Sequence, residues 1–164
     1  MRKAFLVVLV VMLTTSCQKP LLSLTDDVTV IPACGGDTLA PKSFFWIDPD
    51  LKTRGLNESV RVGETPVQIY ELNGEATWTK MFSFINEDFR DLCLTPAQII
   101  EFCEEFPSKL SRTGENFFLA EKDGAFFVFS VQVHDTGLML FIDQLHWYDE
   151  YVWHRSGHQI ICSR

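Results

Sequence analysis

The chain has 164 residues with a formal net charge of −8, and 46% of its residues are hydrophobic. This apolar content is enough for a packed core of one domain, which excludes a globally disordered chain. The acidic balance argues against a nucleic-acid-binding protein, because phosphate backbones attract basic surfaces.

The chain begins with a pattern that is typical of an export signal. Two cations precede an apolar run over residues 4–13, and small residues lead from there to Cys17. Such a run is too short to span about 30 Å of hydrocarbon as a lasting helix. We therefore predict that residues 1–16 are a signal peptide that is removed from the mature protein.

The end of this segment resembles the signal of bacterial lipoproteins, in which the cysteine becomes the lipidated first residue of the mature chain. Thr14 stands where that family usually carries leucine. The resemblance implies a lipid on Cys17, a membrane as partner, and an extracytoplasmic location anchored in the cell envelope. Thr14 and Ser16 also suit an ordinary signal peptidase, so simple secretion is the alternative.

Residues 17–42 are predicted to form a flexible tether that follows the lipidated cysteine. This segment contains three prolines and the pair Gly35-Gly36, with few large apolar residues. Such a composition does not bury enough surface to offset the entropy lost on ordering. We place a single domain in residues 43–164.

The first part of this domain is predicted to consist of strands. Residues 44–47 form a short apolar run, and residues 59–62 and 66–72 alternate in polarity. Asn73-Gly74 is the preferred dipeptide of a type I′ turn. We therefore expect residues 76–84, which are rich in β-forming side chains, to return as the second strand of a hairpin.

One helix is marked by its capping residues. Thr95 is the predicted N-cap, Pro96 takes the first helical position, and Gln98 is the partner in a capping box. Apolar side chains then recur at helical spacing on one stripe, at Ile99, Phe102, Cys103 and Phe106. The pattern predicts a helix over residues 95–106.

An antiparallel meander is predicted after the helix, with Phe127, Phe129 and Val131 on its inner face. Its strands are expected at residues 117–121, 125–133 and 138–147, with a last hairpin formed by residues 151–154 and 158–162. We expect residues 116–163 to form one antiparallel sheet. The predicted fold class is α+β, with one main helix packed on an antiparallel β-meander and additional β-hairpin strands before it.

Four cysteines remain after Cys17, and export to an oxidising compartment permits disulfides between them. The predicted helix separates Cys93 from Cys103 by roughly 12–15 Å, beyond the limit of about 7 Å between Cα atoms. Two pairings are left, Cys34–Cys93 with Cys103–Cys162, or Cys34–Cys103 with Cys93–Cys162. We favour the Cys103–Cys162 pair, while four free thiols remain an alternative.

The histidines all lie in the last 31 residues, and His154 and His158 flank the predicted final turn. These two are the candidates for metal ligands, since zinc binds imidazole nitrogen. Their His-x₃-His spacing is usually helical in zinc motifs, whereas here it falls on a hairpin. We predict no resident cofactor and assign no catalytic residue.

Aromatic side chains beside these histidines form the candidate binding surface. Aromatic rings at strand ends can bind sugars, peptides or cations. The surface comprises His146, Trp147, Tyr148, Tyr151, Trp153 and His154. The sequence thus predicts a membrane-tethered, non-enzymatic module that binds a protein, peptide or glycan. The alternative is a small envelope hydrolase, metal-dependent or metal-free, that uses the histidine-rich C-terminal hairpins.

Overall fold

The computed structural model describes residues 19–25, 28–36, 39, 41–58, 60–145, 150–154 and 157–164. The predicted signal peptide and Cys17 lie outside the described residues, as do His146, Trp147 and Tyr148. The described strands are β1 (Leu22–Leu24), β2 (Thr29–Ile31), β3 (Phe44–Ile47), β4 (Thr65–Leu72), β5 (Asn116–Lys122), β6 (Ala125–His134), β7 (Gly137–Gln144) and β8 (Gln159–Ser163). The described α-helices are α1 (Asp50–Thr53), α2 (Trp78–Ile85) and α3 (Pro96–Glu105), with short 3-10 helices at Phe89–Leu92 and Pro107–Lys109.

These strands form one mixed sheet of eight strands, in the order β1-β4-β8-β5-β6-β7-β3, with β2 also paired to β4. β5 and β8 run parallel, as do β3 and β7, whereas the other pairs are antiparallel. The chain therefore inserts its last strand between β4 and β5, in the middle of the sheet.

This topology corrects the predicted fold class. Only β5, β6 and β7 form the expected antiparallel meander, and residues 116–163 do not make one antiparallel sheet, because β8 pairs with β5 in parallel. The expected last hairpin is also absent from the described residues, where Trp153 instead bridges to Ala76. The class is broadly α+β, but one main helix on a meander does not describe it. Local patterns locate strands, whereas long-range pairing decides their neighbours.

A second correction concerns residues 76–84, which were expected to be a strand. Residues 78–85 form α2, whose side chains Trp78, Met81, Phe82 and Ile85 face one core at helical spacing. Thr77 caps the helix by accepting the N–H of Lys80 at 3.3 Å. The β-forming residue types were misleading because this helical period governs which side chains are buried.

The segment expected to be a tether contributes two strands to the sheet. β1 and β2 both pair antiparallel with β4. Leu22 is 4% exposed and Ile31 is fully buried. Residues 22–24 and 29–31 therefore belong to the packed fold, because a few apolar side chains suffice to dock a short edge strand whose backbone bonds are paired.

The sheet separates two hydrophobic cores, one on each face. Neighbouring residues of β5 belong to different cores, with Phe117 in one and Phe118 in the other, as alternation along a strand requires. α3 packs on the face of Phe118, and α2 packs on the face of Phe117. The predicted inner residues Phe127, Phe129 and Val131 are all buried in the core that contains Phe118, which confirms that they share one face of the sheet.

The predicted helix is confirmed as α3, including both bonds of its capping box. Thr95 Oγ1 accepts the N–H of Gln98 at 3.3 Å, and Gln98 Oε1 accepts the N–H of Thr95 at 2.8 Å. None of the helices within the described residues is long and apolar enough to cross a membrane.

Candidate functional site

Among the described residues of the predicted aromatic surface, Tyr151 is exposed and Trp153 is packed against other rings. Tyr151 is 63% exposed, and its ring lies 4.8 Å from that of Trp153. Trp153 in turn packs against Phe117 and Trp78, with ring centroids 4.7 and 5.7 Å away. Trp153 therefore packs at the border of the core that contains Phe117, and the Tyr151 ring beside it is exposed to solvent.

The two candidate metal ligands make different contacts. His154 Nδ1 lies 2.9 Å from Glu75 Oε1 at the exposed surface. His158 is buried and packs its ring against Phe117 and Trp153. In the part of the chain that the structure describes, no three histidine, cysteine or acidic side chains are grouped to hold a metal ion.

The structure does not bring the favoured cysteine pair together. Cys103 lies in the core under α3, Cys162 lies in the core on the other face of the sheet, and both are free thiols, as are Cys34 and Cys93. Burial raises the pKa of Cys93 and of Cys162 to about 12, and it also raises the pKa of Cys103. These three thiols are therefore protonated at neutral pH, which does not suit nucleophilic catalysis.

Polar side chains converge in a cleft of about 280 Å³ at one end of the sheet. The residues before β5, the end of β6 and the residue before β8 meet here. The polar side chains that line this cleft are Arg112, Thr113, Glu115, Gln132, His134 and His158. We call this site the Glu115 cleft.

Close backbone approach brings the two loops of the Glu115 cleft together. A Cβ atom added to Gly114 would lie 2.6 Å from backbone atoms of Gly157 and His158. Gly157 has φ +76°, a left-handed conformation that glycine adopts without strain. Glycine at both positions thus allows the backbone N–H of Glu115 to reach His158 Nδ1 at 2.9 Å.

A buried amide holds the first of these loops in place. Asn116 is fully buried, and its Nδ2 donates to the carbonyls of Ser111 and Val131 at 3.1 and 3.0 Å. Its Oδ1 accepts the N–H of Ser111 at 2.8 Å. Asn116 therefore ties the loop before β5 to β6 and fixes the position of the adjacent Glu115.

The carboxyl group of Glu115 is half-buried among neutral partners. Its Oε2 accepts a hydrogen bond from the Ser130 hydroxyl, and its Oε1 accepts one from Gln132 Nε2 at 3.0 Å. Burial raises the pKa of this carboxyl, the hydrogen bond from Gln132 opposes that rise, and the negative charge of Asp143 adds to it. No lysine or arginine within the described residues pairs with it.

His158 carries the opposite perturbation. Its burial lowers the pKa of the imidazole, so the ring is neutral at neutral pH. Because Nδ1 accepts the backbone N–H of Glu115, the proton of the neutral ring resides on Nε2. The cleft thus combines a carboxyl that resists ionisation with an imidazole that resists protonation.

Contacts link this cleft to two exposed aromatic rings, in part through the buried ring of His158. On one side, Gln132 Oε1 lies 3.3 Å from His134 Nε2, and the His134 ring lies 5.8 Å from that of Phe45. Phe45 is 51% exposed. On the other side, the His158 ring lies 5.0 Å from that of Trp153, which carries Tyr151.

The cleft brings together residues that the sequence analysis did not single out. Glu115 lies between the predicted helix and the predicted meander, Phe45 and Gln132 lie on predicted strands, and His134 follows a predicted strand. The contact between Glu115 and His158 spans 43 residues of sequence. The local signal was the glycine in each of the two loops, but a glycine does not indicate which other loop it contacts.

A second cavity, of about 320 Å³, lies beside the start of α3 and is lined mainly by apolar side chains, including Leu56, Leu94 and Pro96. Its charged groups are already engaged in pairs. Lys122 Nζ lies 3.0 Å from Glu58 Oε2, and Arg90 Nε lies 3.5 Å from Glu121 Oε1. The Glu115 cleft is therefore the better candidate for recognising a polar ligand.

Comparisons with known proteins do not add a family to this description. No protein-family model, curated protein or solved structure matches the chain. The function is therefore argued from the residues of the cleft.

Proposed function

We propose that this protein is an extracytoplasmic lipoprotein, held on a membrane by lipid at Cys17, that binds a small polar ligand without transforming it. The observation that carries the binding role is the Glu115 cleft, where polar side chains from three strand ends converge. A concave site in which polar groups with perturbed pKa values converge is a candidate ligand site.

The energetics of Glu115 support a ligand that donates hydrogen bonds. A carboxylate that is partly removed from water without a cation is unfavourable, as the raised pKa of Glu115 records. Hydroxyl or amine groups of a ligand would offset this loss. Functional residues are often destabilising in the free protein, and their hydrogen-bonding groups gain partners only when the ligand binds.

The alternative, a small envelope hydrolase, would draw on the same carboxyl. A raised pKa allows Glu115 to act as a general acid. Binding is favoured because acid–base hydrolysis needs a second group that takes a proton from the attacking water. The imidazole in contact with Glu115 is that of His158, and its Nδ1 already accepts the backbone N–H of Glu115.

The anchoring part of the proposal predicts that Cys17 carries fatty acid. Cells that express the protein and are fed labelled palmitate should yield labelled protein, and Cys17→Ser should abolish the label. Cys34→Ser is the matched control and should leave the label unchanged, because Cys34 lies beyond the signal. Wild-type protein that is unlabelled and released from cells would overturn the lipid anchor and leave simple secretion.

The binding part of the proposal predicts a ligand-dependent rise in thermal stability. A panel of amino acids, dipeptides and neutral oligosaccharides at millimolar concentration should include compounds that raise the Tm of the soluble domain, by mass action on the folded state. Glu115→Gln should remove this rise. The exposed Glu64 offers the control Glu64→Gln, which should retain it.

Two results would contradict this role. If the rise in Tm persists in Glu115→Gln, the ligand does not use the cleft. If the wild-type protein hydrolyses a compound of the panel and Glu115→Gln does not, the hydrolase replaces the binding module.

A further inference from the structure

We infer that the ligand of the Glu115 cleft is a neutral oligosaccharide, which extends from the cleft onto the exposed rings of Phe45 and Tyr151. This inference rests on the proposed binding function and names its ligand class. It is carried by the polar groups of the cleft and by the contacts that link two exposed rings to it.

Contacts link the polar cleft to two exposed aromatic rings. His134 lines the cleft, and its ring contacts that of Phe45. The backbone N–H of Glu115 binds the buried ring of His158, which packs on Trp153, and Trp153 contacts Tyr151. A polar cleft with exposed rings linked to it fits a chain whose units each offer apolar C–H faces and hydroxyl edges.

The polar centre both accepts and donates hydrogen bonds. Glu115 offers acceptor oxygens, while the exposed side chains of Arg112 and Thr113 offer donors. Sugar hydroxyls donate and accept at the same atom, so neighbouring hydroxyls can bind both kinds of group at once.

An extended peptide fits this site less well. Peptides commonly bind by adding a strand to an open sheet edge, where backbone groups are unpaired. The strands that end at the cleft, β5, β6 and β8, are all interior strands with a neighbour on each side. The cleft therefore offers side chains rather than a free strand edge.

Charge favours a neutral glycan over an anionic one. The chain has a net charge of −8, and Glu115 and Asp143 together make the surroundings of the cleft negative. An acidic polysaccharide would be repelled by this potential, which Arg112, the one lysine or arginine among the described residues that line the cleft, does not cancel.

The test is calorimetric titration of the soluble domain with neutral gluco-, xylo-, manno- and N-acetylglucosamine oligosaccharides, selected on an array. At least one series should bind, with affinity that rises with chain length. Phe45→Ala and Tyr151→Ala should each weaken binding about tenfold, because each removes one stacking ring. Tyr151→Phe keeps the ring and should retain binding.

Phe84 provides the matched control, since it is also exposed, at 54%, but lies on α2 outside these contacts. Phe84→Ala should bind as the wild type does. Equal loss in Phe84→Ala, or no loss in Phe45→Ala and Tyr151→Ala with unchanged Tm, would overturn the inference. If no oligosaccharide binds, the glycan inference fails. Binding of an amino acid or dipeptide at Glu115 would then preserve the proposed function, and no binding by any compound would remove both.

Discussion

Phe129→Ala should destabilise the protein by about 3–5 kcal/mol, because the substitution removes a fully buried aromatic ring from the centre of the sheet. Phe129 lies on β6 opposite Phe118 of β5 and Ile142 of β7, and all three belong to the core beneath α3. The loss combines the transfer free energy of the ring with that of the cavity left behind. Urea unfolding of the soluble domain, followed by circular dichroism, measures it.

Phe84→Ala is the control for this experiment as well. Its ring is 54% exposed on α2, so the free energy of unfolding should change by less than about 0.5 kcal/mol. A loss of less than about 1 kcal/mol in Phe129→Ala would show that β6 presents its other face to this core.

The parts of the fold that were predicted correctly are those with local causes. The capping box of Thr95 and Gln98 acts within four residues, and it specifies the start of α3 without reference to the rest of the chain. β5, β6 and β7 are joined by tight turns, so sequence neighbours are also sheet neighbours. In each case, the pattern and the contact lie in the same short segment.

The parts that were predicted wrongly depend on distant partners. Residues 78–85 combine β-forming side chains with apolar residues at helical spacing. The helix forms because it buries those residues in the core that contains Phe117. β8 pairs with β4 and β5, whereas the sequence predicted that it pairs in a hairpin with residues 151–154. Leu22 and Ile31 looked too isolated to order a segment, yet β4 provides backbone partners for both strands.

In the candidate site, too, the sequence indicates what lies close along the chain and misses what distant segments bring together. Of the aromatic surface that the sequence predicts, Tyr151 and Trp153 contact each other, and His146, Trp147 and Tyr148 lie outside the described residues. His158, a predicted metal-ligand candidate, packs against Trp153. The sequence did not indicate the carboxyl at the centre. Glu115 becomes distinctive only when β5 pairs with β6 and β8, since these strands bring Gln132 and His158 to it. Its chemistry is therefore a product of topology.

Asn116→Ala should destabilise the fold by about 3–5 kcal/mol and should also disable the Glu115 cleft. The substitution leaves the N–H and carbonyl of Ser111 and the carbonyl of Val131 without the partners that Asn116 supplies. The carbonyl of Val131 is buried and the groups of Ser111 are part-buried. A buried group left unpaired costs about 1–3 kcal/mol, the part-buried groups add a smaller loss, and a small cavity adds to both. Urea unfolding measures the stability, and the rise in Tm with a ligand of the wild-type protein measures the site.

Asn57→Ala is the control for Asn116→Ala, since Asn57 is partly exposed in the turn after α1. It should change the free energy of unfolding by less than about 0.5 kcal/mol and leave the ligand response intact. Asn116→Asp separates the two roles of the amide, because a carboxylate can still accept the N–H of Ser111 but cannot donate to the two carbonyls. A stable Asn116→Ala variant that responds fully to ligand would show that the loop before β5 holds Glu115 without this amide. The position of the cleft would then depend on the contact between Gly114 and Gly157 and on the backbone hydrogen bonds of Glu115 to His158 and Gln159.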